Sequence, residues 1–405
     1  MADLSSAERE FPFKRTQPWN PPPEYREGHE TPGLLPVRMW NGTPAWLATR
    51  MKDVRQILAG HEFSAQPARP GYPLISASLG SLLVNEEPTL VSMDGADHIR
   101  YRRMLAPLFT LNRINRLRPR IEQIVNDLVD QLLAQGPPID FYEDFTLVIP
   151  SLVISELLGV PYEDHAFFQK AARDRMDLSS GPQVPIEAGI RVAGYLTQLI
   201  ERRTREGVDE DDDLLARLIK DQIIPGKLTV AEAAAMVRLL LIAGHETTAN
   251  AMAYGMLLLL ASPEQMSELR ADPGLIPTAV EEILRFTTVG HVNSTRVAVT
   301  DVDVDAQHVQ PGEGVLAMVA GANRDPSVFT NPDRFDVRRT PNEHVAFAYG
   351  IHSCIGQPLA RLELNVFFEI VPERIPSLRL SVPLETLTYR EDQRAYGPAH
   401  MPVTW

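Results

Sequence analysis

One stretch near the C-terminal end of the chain is more informative than any other: Phe347-Ala348-Tyr349-Gly350-Ile351-His352-Ser353-Cys354-Ile355-Gly356-Gln357-Pro358-Leu359-Ala360-Arg361. It contains Cys354, the single cysteine among 405 residues. A single cysteine excludes an internal disulfide, a cysteine-bound iron–sulfur cluster and a zinc site built on several cysteines. Three chemistries remain for Cys354: an inert buried thiol, a nucleophile, or a lone soft ligand to a metal.

The residues around Cys354 favour the metal ligand. Glycines on both sides let the backbone approach a large flat group. The apolar pattern that starts at Ile355 predicts a helix, and the N-terminus of that helix would stabilise a thiolate. Pro358 suits the first turn of such a helix, because an N–H group in that turn has no partner within the helix.

The same stretch closely resembles the haem-binding loop of the cytochrome P450 family, F-G-x-G-x-H-x-C-x-G-x-x-L-A-R. Every fixed position matches except Ala348, where the family usually has glycine. The resemblance implies haem b as the cofactor, with Cys354 as the axial ligand of its iron. It also implies the cytochrome P450 fold, which is mostly α with a minor β portion, and a single domain over residues 1–405.

Composition and charge limit the possible partners. The chain carries a formal net charge of −14, which argues against binding to nucleic acid or to an anionic membrane surface. The most apolar stretch, from Thr247 to Ser262, is shorter than the ~20 residues that span a bilayer. The first ten residues lack the pattern of a signal peptide. We therefore expect a cytoplasmic protein without a membrane partner.

The order of patterns along the chain suits one mostly helical domain. Residues 1–35 form a proline-rich arm, and alternation from Val37 to Thr49 predicts a β-hairpin with Asn41-Gly42 as its turn. Helical periodicity dominates the middle of the chain. Strand-like alternation returns from Thr295 to Val315, and residues 343–374 contain the Cys354 loop and the helix that follows it.

A capping box at Thr229 predicts a long helix over residues 229–260, roughly 50 Å in length. Its second half is apolar nearly all round and must be buried, yet its centre contains Glu246 and Thr247. A polar kink with satisfied side chains would explain these residues structurally. The resemblance instead implies the family's acid–alcohol pair, in which Glu246 and Thr247 deliver protons to the oxygen site.

We predict that the substrate pocket is formed by the same helix and by residues 289–293. Leu239, Ala243 and Thr247 follow each other at i, i+4 spacing and share one face. Val289, Val292 and Asn293 are the candidates from the second segment. These largely apolar walls suit a medium-sized hydrophobic molecule.

Two further sets of residues follow from the family resemblance. The Glu282-x-x-Arg285 spacing is weak by itself, because i, i+3 ion pairs are common on helices. With Arg334 it resembles the family's buried network behind the haem, which holds the cysteine loop. The expected partners of the haem propionates are His98, Arg102, Arg296 and His352.

The sequence thus predicts a haem-thiolate monooxygenase that inserts one atom of O2 into a secondary metabolite or xenobiotic, by hydroxylation or epoxidation. Electrons are expected from a separate ferredoxin and its reductase, so NAD(P)H takes part only indirectly. The alternatives are an NADH-dependent nitric-oxide-reductase type of the same fold and a non-enzymatic haem-binding sensor. A basic cluster is the candidate docking face for the electron donor: Arg100, Arg103, Arg113, Arg116, Arg118 and Arg120.

Overall fold

The computed structural model describes residues 4, 9–77, 80, 87–177, 179–208, 213–290, 292 and 294–405. These residues form a mostly helical protein with a minor β portion, which confirms the predicted fold class. The helices are α1 (Glu24–Glu30), α2 (Met51–Ala59), α3 (Gly95–Leu105), α4 (Leu111–Arg116), α5 (Arg118–Gln135), α6 (Val148–Leu158), α7 (His165–Met176), α8 (Gln183–Glu206), α9 (Leu214–Leu218), α10 (Val230–Leu260), α11 (Pro263–Ala271), α12 (Ile276–Thr287), α13 (Val319–Ala322) and α14 (Gln357–Arg374). The strands are β1 (Glu10–Phe11), β2 (Leu35–Met39), β3 (Pro44–Ala48), β4 (Phe63–Ser64), β5 (Ile139–Asp140), β6 (Thr295–Ala298), β7 (Val302–Val304), β8 (Gln307–Val309), β9 (Gly314–Ala317), β10 (Arg379–Leu380) and β11 (Pro402–Thr404).

Helix α10 runs through the centre of the helical part. It begins at Val230 because Thr229 caps it: the Thr229 hydroxyl accepts a hydrogen bond from the Glu232 N–H, and the Glu232 carboxylate accepts one from the Thr229 N–H. The residues from Ala249 to Leu259 are buried on every side of the helix. Helices α6, α8, α12 and α14 pack against α10 and supply that environment. Of the helices in the described part of the chain, none has the length and apolar character needed to cross a bilayer.

The largest sheet has the strand order β1-β2-β3-β9-β6-β4. Strands β2 and β3 form the predicted hairpin, and Gly42 occupies its turn with a φ of 81°, a conformation that favours glycine. Strand β9 lies parallel to β3 and antiparallel to β6. This arrangement places Arg296, in β6, directly opposite Val315.

The Cys354 loop, residues 343–356, lies between α2 and the start of α14. The Cys354 N–H donates to the Phe347 carbonyl at 2.9 Å, which closes the loop on itself. Gly350 has a φ of 72°, and a Cβ there would come within 2.7 Å of the Leu58 carbonyl oxygen at the end of α2. Helix α14 then begins at Gln357, with Pro358 in its first turn as predicted.

Candidate active site

A cavity of about 330 Å³ lies between the centre of α10, the Cys354 loop and the first turns of α14. Its walls are mainly apolar. Residues predicted for different roles meet here because α10 crosses above the loop. The predicted residues that line the cavity are Arg102, Leu239, Ala243, Thr247, Val289, His352 and Cys354.

Cys354 faces the cavity from the loop side. Its sulfur is exposed to the cavity rather than to the outer surface of the protein. Burial raises the pKa of the Cys354 thiol, while hydrogen bonds from the backbone N–H groups of Gly356 and Gln357 and the charge of Arg102 oppose that rise. These donors stabilise a thiolate, the form in which cysteine binds a metal.

Buried imidazole and guanidinium groups converge at one edge of the cavity. His98 is 1% exposed, and its ring lies 4.4 Å from the ring of His352. Both ring nitrogens of His98 lack a hydrogen-bond partner among the described residues. Burial lowers the pKa of His98 to about 4, and the nearby charges of His352, Arg102 and Arg296 act in the same direction. This edge therefore offers unused donors and positive charge to an anionic group.

Thr247, at the centre of α10, lines the same cavity as Cys354. The Thr247 hydroxyl donates to the Ala243 carbonyl at 2.7 Å, and the Thr248 hydroxyl donates to the Gly244 carbonyl at 3.3 Å. Such bonds to the i−4 carbonyl satisfy a buried hydroxyl within its own helix. Helix α10 nevertheless continues without a break through these residues.

Glu246 occupies a different face of α10 from Thr247. Its Oε1 lies 3.4 Å from Nη1 of Arg390, and its Oε2 has no hydrogen-bond partner within the described part of the chain. Burial raises the pKa of Glu246, and the positive charge of Arg390 only partly opposes the rise. Arg390 also bonds Glu143 at 3.2 Å, and Glu143 bonds Arg173 at 2.8 Å.

These four residues form a graded ion-pair chain from the interior to the surface. The exposed fraction of the side chain rises from 2% at Glu246 to 11% at Arg390, 29% at Glu143 and 42% at Arg173. Arg390 was not predicted as a partner of Glu246, because it lies 144 residues further along the chain and no local pattern links the two residues.

Val292 does not line the cavity: it is 1% exposed and packs into a core cluster with Val37, Leu316 and Met318. Val289 and Ser294 reach the cavity, whereas the Val292 side chain turns toward the sheet. Asn293 lies outside the described residues.

The network behind the loop contains Glu282 and Arg285, which are fully buried and joined by hydrogen bonds of 2.7 and 2.8 Å. The prediction for the third member, Arg334, is wrong. The Arg334 side chain is exposed, and only its backbone carbonyl reaches the network, where it accepts from Arg339 at 2.9 Å. Arg339 supplies the second guanidinium, with its Nε 3.0 Å from Glu282.

Glu363 is a buried acid that was not predicted as a site residue. It lines the cavity, is 1% exposed and has no hydrogen-bond partner for its Oε2 among the described residues. Burial raises the pKa of Glu363 well above its ordinary value. A signal was present in the sequence, because Glu363 falls on the apolar stripe formed by Leu359, Leu362 and Val366 of α14.

Comparisons with known proteins agree with this geometry. A family model described as cytochrome P450 matches residues 186–273 and 274–374. Cytochrome P450-SU2 of Streptomyces griseolus is 42% identical over 388 residues, which cover 96% of this chain and 94% of that protein. The chain belongs to the cytochrome P450 family.

Other relatives cover the chain just as fully. The 20-oxo-5-O-mycaminosyltylactone 23-monooxygenase of Streptomyces fradiae is 36% identical over 395 residues, which cover 98% of this chain and 92% of that enzyme. The crystal structure of GfsF, a cytochrome P450 from Streptomyces halstedii, superimposes with a TM-score of 0.91 at 37% identity, covering 98% of this chain and all of that one. This P450 is therefore an oxidoreductase of the monooxygenase class, and the family implies a haem.

The residues of the cavity fit a haem. A single soft sulfur faces the cavity from one wall, and the unpartnered nitrogens of His98 at the edge match the need of a buried carboxylate for donors. Apolar side chains from α10 and the loop supply the remaining walls.

Proposed function

We propose that this P450 binds haem b and inserts one atom of O2 into a medium-sized, largely hydrophobic secondary metabolite or xenobiotic. The observation that carries the proposal is that Cys354, from the loop, and Thr247, from α10, line one mainly apolar cavity. A thiolate-bound haem supplies the activation of oxygen, since the thiolate favours cleavage of the O–O bond. The residues of this chain then have to hold the haem, deliver protons and bind the substrate.

His98, Arg102, Arg296 and His352 are the proposed partners of the haem propionates. His352 is oriented by a hydrogen bond that its Nδ1 donates to the Leu90 carbonyl at 3.2 Å. Arg102 is anchored to the loop through Ser353 at 3.3 Å. Because His98 and Arg296 are buried, carboxylates at this edge would satisfy groups that otherwise stay desolvated.

Proton delivery is assigned to Glu246 and Thr247. The Glu246 carboxyl lies at the inner end of the ion-pair chain, so protons from the surface reach it past Glu143 and Arg390. Burial raises the pKa of Glu246, which favours the protonated form that a proton donor needs. Glu246 and Thr247 are neighbours in α10. A Glu246 carboxyl that turns away from Arg390 therefore moves toward the Thr247 hydroxyl, which faces the oxygen site from the cavity wall.

Substrate binding is assigned to the apolar part of the cavity, with Leu239, Ala243 and Val289 as walls. Displacement of water from these surfaces favours a hydrophobic molecule by roughly 25 cal/mol for each Å² of apolar surface buried. The name of the S. fradiae relative refers to a mycaminosyltylactone, which is consistent with a secondary metabolite as the substrate class.

Electrons are assigned to a separate ferredoxin and its NAD(P)H-dependent reductase. Arg103 and Arg116 of the basic cluster are exposed, and the helix of Arg116, α4, packs against α14, which follows the Cys354 loop. Such surfaces mainly raise the rate of association and make it depend on salt.

The test uses the purified protein loaded with haem. Compounds are first selected by their ability to displace water from the ferric haem, which shifts the Soret band. Selected compounds are then incubated with a bacterial ferredoxin, its reductase, NADPH and ¹⁸O2, and the expected product carries one ¹⁸O atom. Direct reduction of the haem by NADH without ferredoxin would favour the nitric-oxide-reductase type. Absence of product from every compound that shifts the band would favour a sensor.

A further inference from the structure

The carboxylate of Glu281 joins both sides of the Cys354 loop. Glu281 lies on α12, and its neighbour Glu282 belongs to the Arg285 network already described. The two residues have separate tasks: the hydrogen-bond partners of Glu282 come from α12 itself and from residues 336–342. The partners of Glu281 are His344, at the start of the loop, and Arg361, in the helix after it.

Arg361 binds Glu281 with two parallel hydrogen bonds. Its Nε donates to Oε1 at 2.7 Å and its Nη2 donates to Oε2 at 3.0 Å, the geometry in which a guanidinium binds a carboxylate most strongly. The remaining Nη1 donates to the Gln357 side chain at 2.9 Å. The guanidinium also lies 4.6 Å from the ring centre of Phe347, on the other side of the loop.

His344 connects the first side of the loop to the same carboxylate. Its Nδ1 accepts a hydrogen bond from the Ala346 N–H at 3.2 Å, so the ring proton is assigned to Nε2. Nε2 then donates to Oε2 of Glu281 at 3.0 Å. The imidazole is nearly buried, with 3% of its side chain exposed, and both of its nitrogens are used.

Glu281 is ionised in this arrangement. Burial works to raise the pKa of Glu281, but hydrogen bonds from His344 and Arg361 outweigh it and lower the pKa to about 2. A charged acceptor makes each of these hydrogen bonds stronger than a neutral pair would be.

We infer that Glu281 is a positioning residue that fixes both sides of the Cys354 loop and thereby aims the Gly356 and Gln357 N–H groups at the sulfur. Glu281 holds residues that contact the hydrogen-bond partners of Cys354. Phe347 accepts the hydrogen bond from the Cys354 N–H, and Gln357, next to Gly356, is bonded to Arg361. The inference rests on the proposed function, because the aim of these N–H groups affects catalysis only if Cys354 binds the haem iron.

The consequence is electronic as well as mechanical. Hydrogen bonds to a ligating sulfur reduce the electron density that it donates to the metal and raise the reduction potential. If the Glu281 contacts are lost, the two sides of the loop move independently and these hydrogen bonds weaken. The reduction potential then falls, and the thiolate is lost more readily as a ligand.

Two charge-conserving variants test the inference on the haem-loaded protein. Glu281→Asp keeps the charge but cannot reach both partners, and Arg361→Lys keeps the charge but cannot form the double hydrogen bond. We expect a lower reduction potential for both variants. We also expect the red-shifted Soret band of the reduced carbon-monoxide complex to be lost about tenfold faster on mild heating. A tenfold change in rate is the size expected when one charge-assisted hydrogen bond is removed.

The matched control is Glu156→Asp. Glu156 binds Arg120 through hydrogen bonds of 2.9 and 3.1 Å, but this pair is exposed on the surface and does not touch the loop. Glu156→Asp should leave both the reduction potential and the lifetime of the red-shifted Soret band unchanged. If Glu281→Asp fails to fold, Arg361→Lys alone decides the question.

The inference would be overturned if the folded variants had the same reduction potential and the same lifetime of the red-shifted Soret band as the wild type. Failure of the proposed function is a different result, because then the wild-type protein itself would lack the red-shifted band.

Discussion

Glu246→Gln separates the proton of this side chain from its shape. Glutamine has nearly the same size, and its amide oxygen can still accept a hydrogen bond from Arg390, which lies 3.4 Å from Glu246. The variant therefore keeps the packing of α10 and the contact to the ion-pair chain. It loses only the ability to donate and recover a proton.

The size of the expected effect follows from the geometry. A positioned general acid contributes about 10²- to 10⁴-fold to a rate. We expect the lower end, because Glu246 is paired with Arg390 and has to turn before it can act, and because the acid Glu363 also lines the cavity. Product formation should thus fall about 10²-fold, which corresponds to about 2.7 kcal/mol of activation free energy.

The assay compares product formed with NADPH consumed and peroxide released, in H2O and in D2O. Glu246→Gln should consume NADPH but release mostly peroxide, and the solvent isotope effect on product formation should change. Glu187→Gln, which removes an exposed acid, is the control and should behave like the wild type. Product formation by Glu246→Gln within about twofold of wild type, with unchanged coupling, would refute the proton route.

Three further predictions concern other parts of the molecule. Ala348 has a φ of 60°, so Ala348→Gly should raise the free energy of unfolding by up to about 1 kcal/mol in a denaturant titration. A decrease would show that packing of the Ala348 methyl group stabilises the protein more than the backbone strain destabilises it. Glu363 has a pKa raised by burial, so its stabilising contribution is complete below its unfolded pKa and is lost as the pH rises toward its folded value. Wild-type stability should therefore fall by about 1.4 kcal/mol per pH unit relative to Glu363→Gln above about pH 5, and a constant difference between the two proteins would contradict this. Charge reversal at Arg103 and Arg116 should slow electron transfer from ferredoxin and flatten its salt dependence, and unchanged salt dependence would remove these residues from the docking face.

Features defined by nearby residues could be predicted from the sequence. The Asn41-Gly42 hairpin and the Thr229 cap depend on contacts within a few positions, and both are present. The proline in the first turn of α14 belongs to the same class.

Contacts between distant segments could not be predicted in the same way. Arg334 and Arg339 lie five positions apart in an irregular segment, and only the path of that segment decides which guanidinium reaches Glu282. The pairing of Glu246 with Arg390 joins residues 144 positions apart. The Glu281–Arg361 contact likewise spans 80 positions, although Arg361 is the last residue of the motif around Cys354.

The reduced carbon-monoxide spectrum tests the central claim, that Cys354 is the thiolate ligand of a haem. The wild-type protein, loaded with haem and reduced, should show the strongly red-shifted Soret band of a thiolate-bound iron. Cys354→Ser, which keeps the size and the cavity but removes the sulfur, should bind carbon monoxide without that shift. An unshifted band in the wild type, or a red-shifted band that survives in Cys354→Ser, would contradict the account.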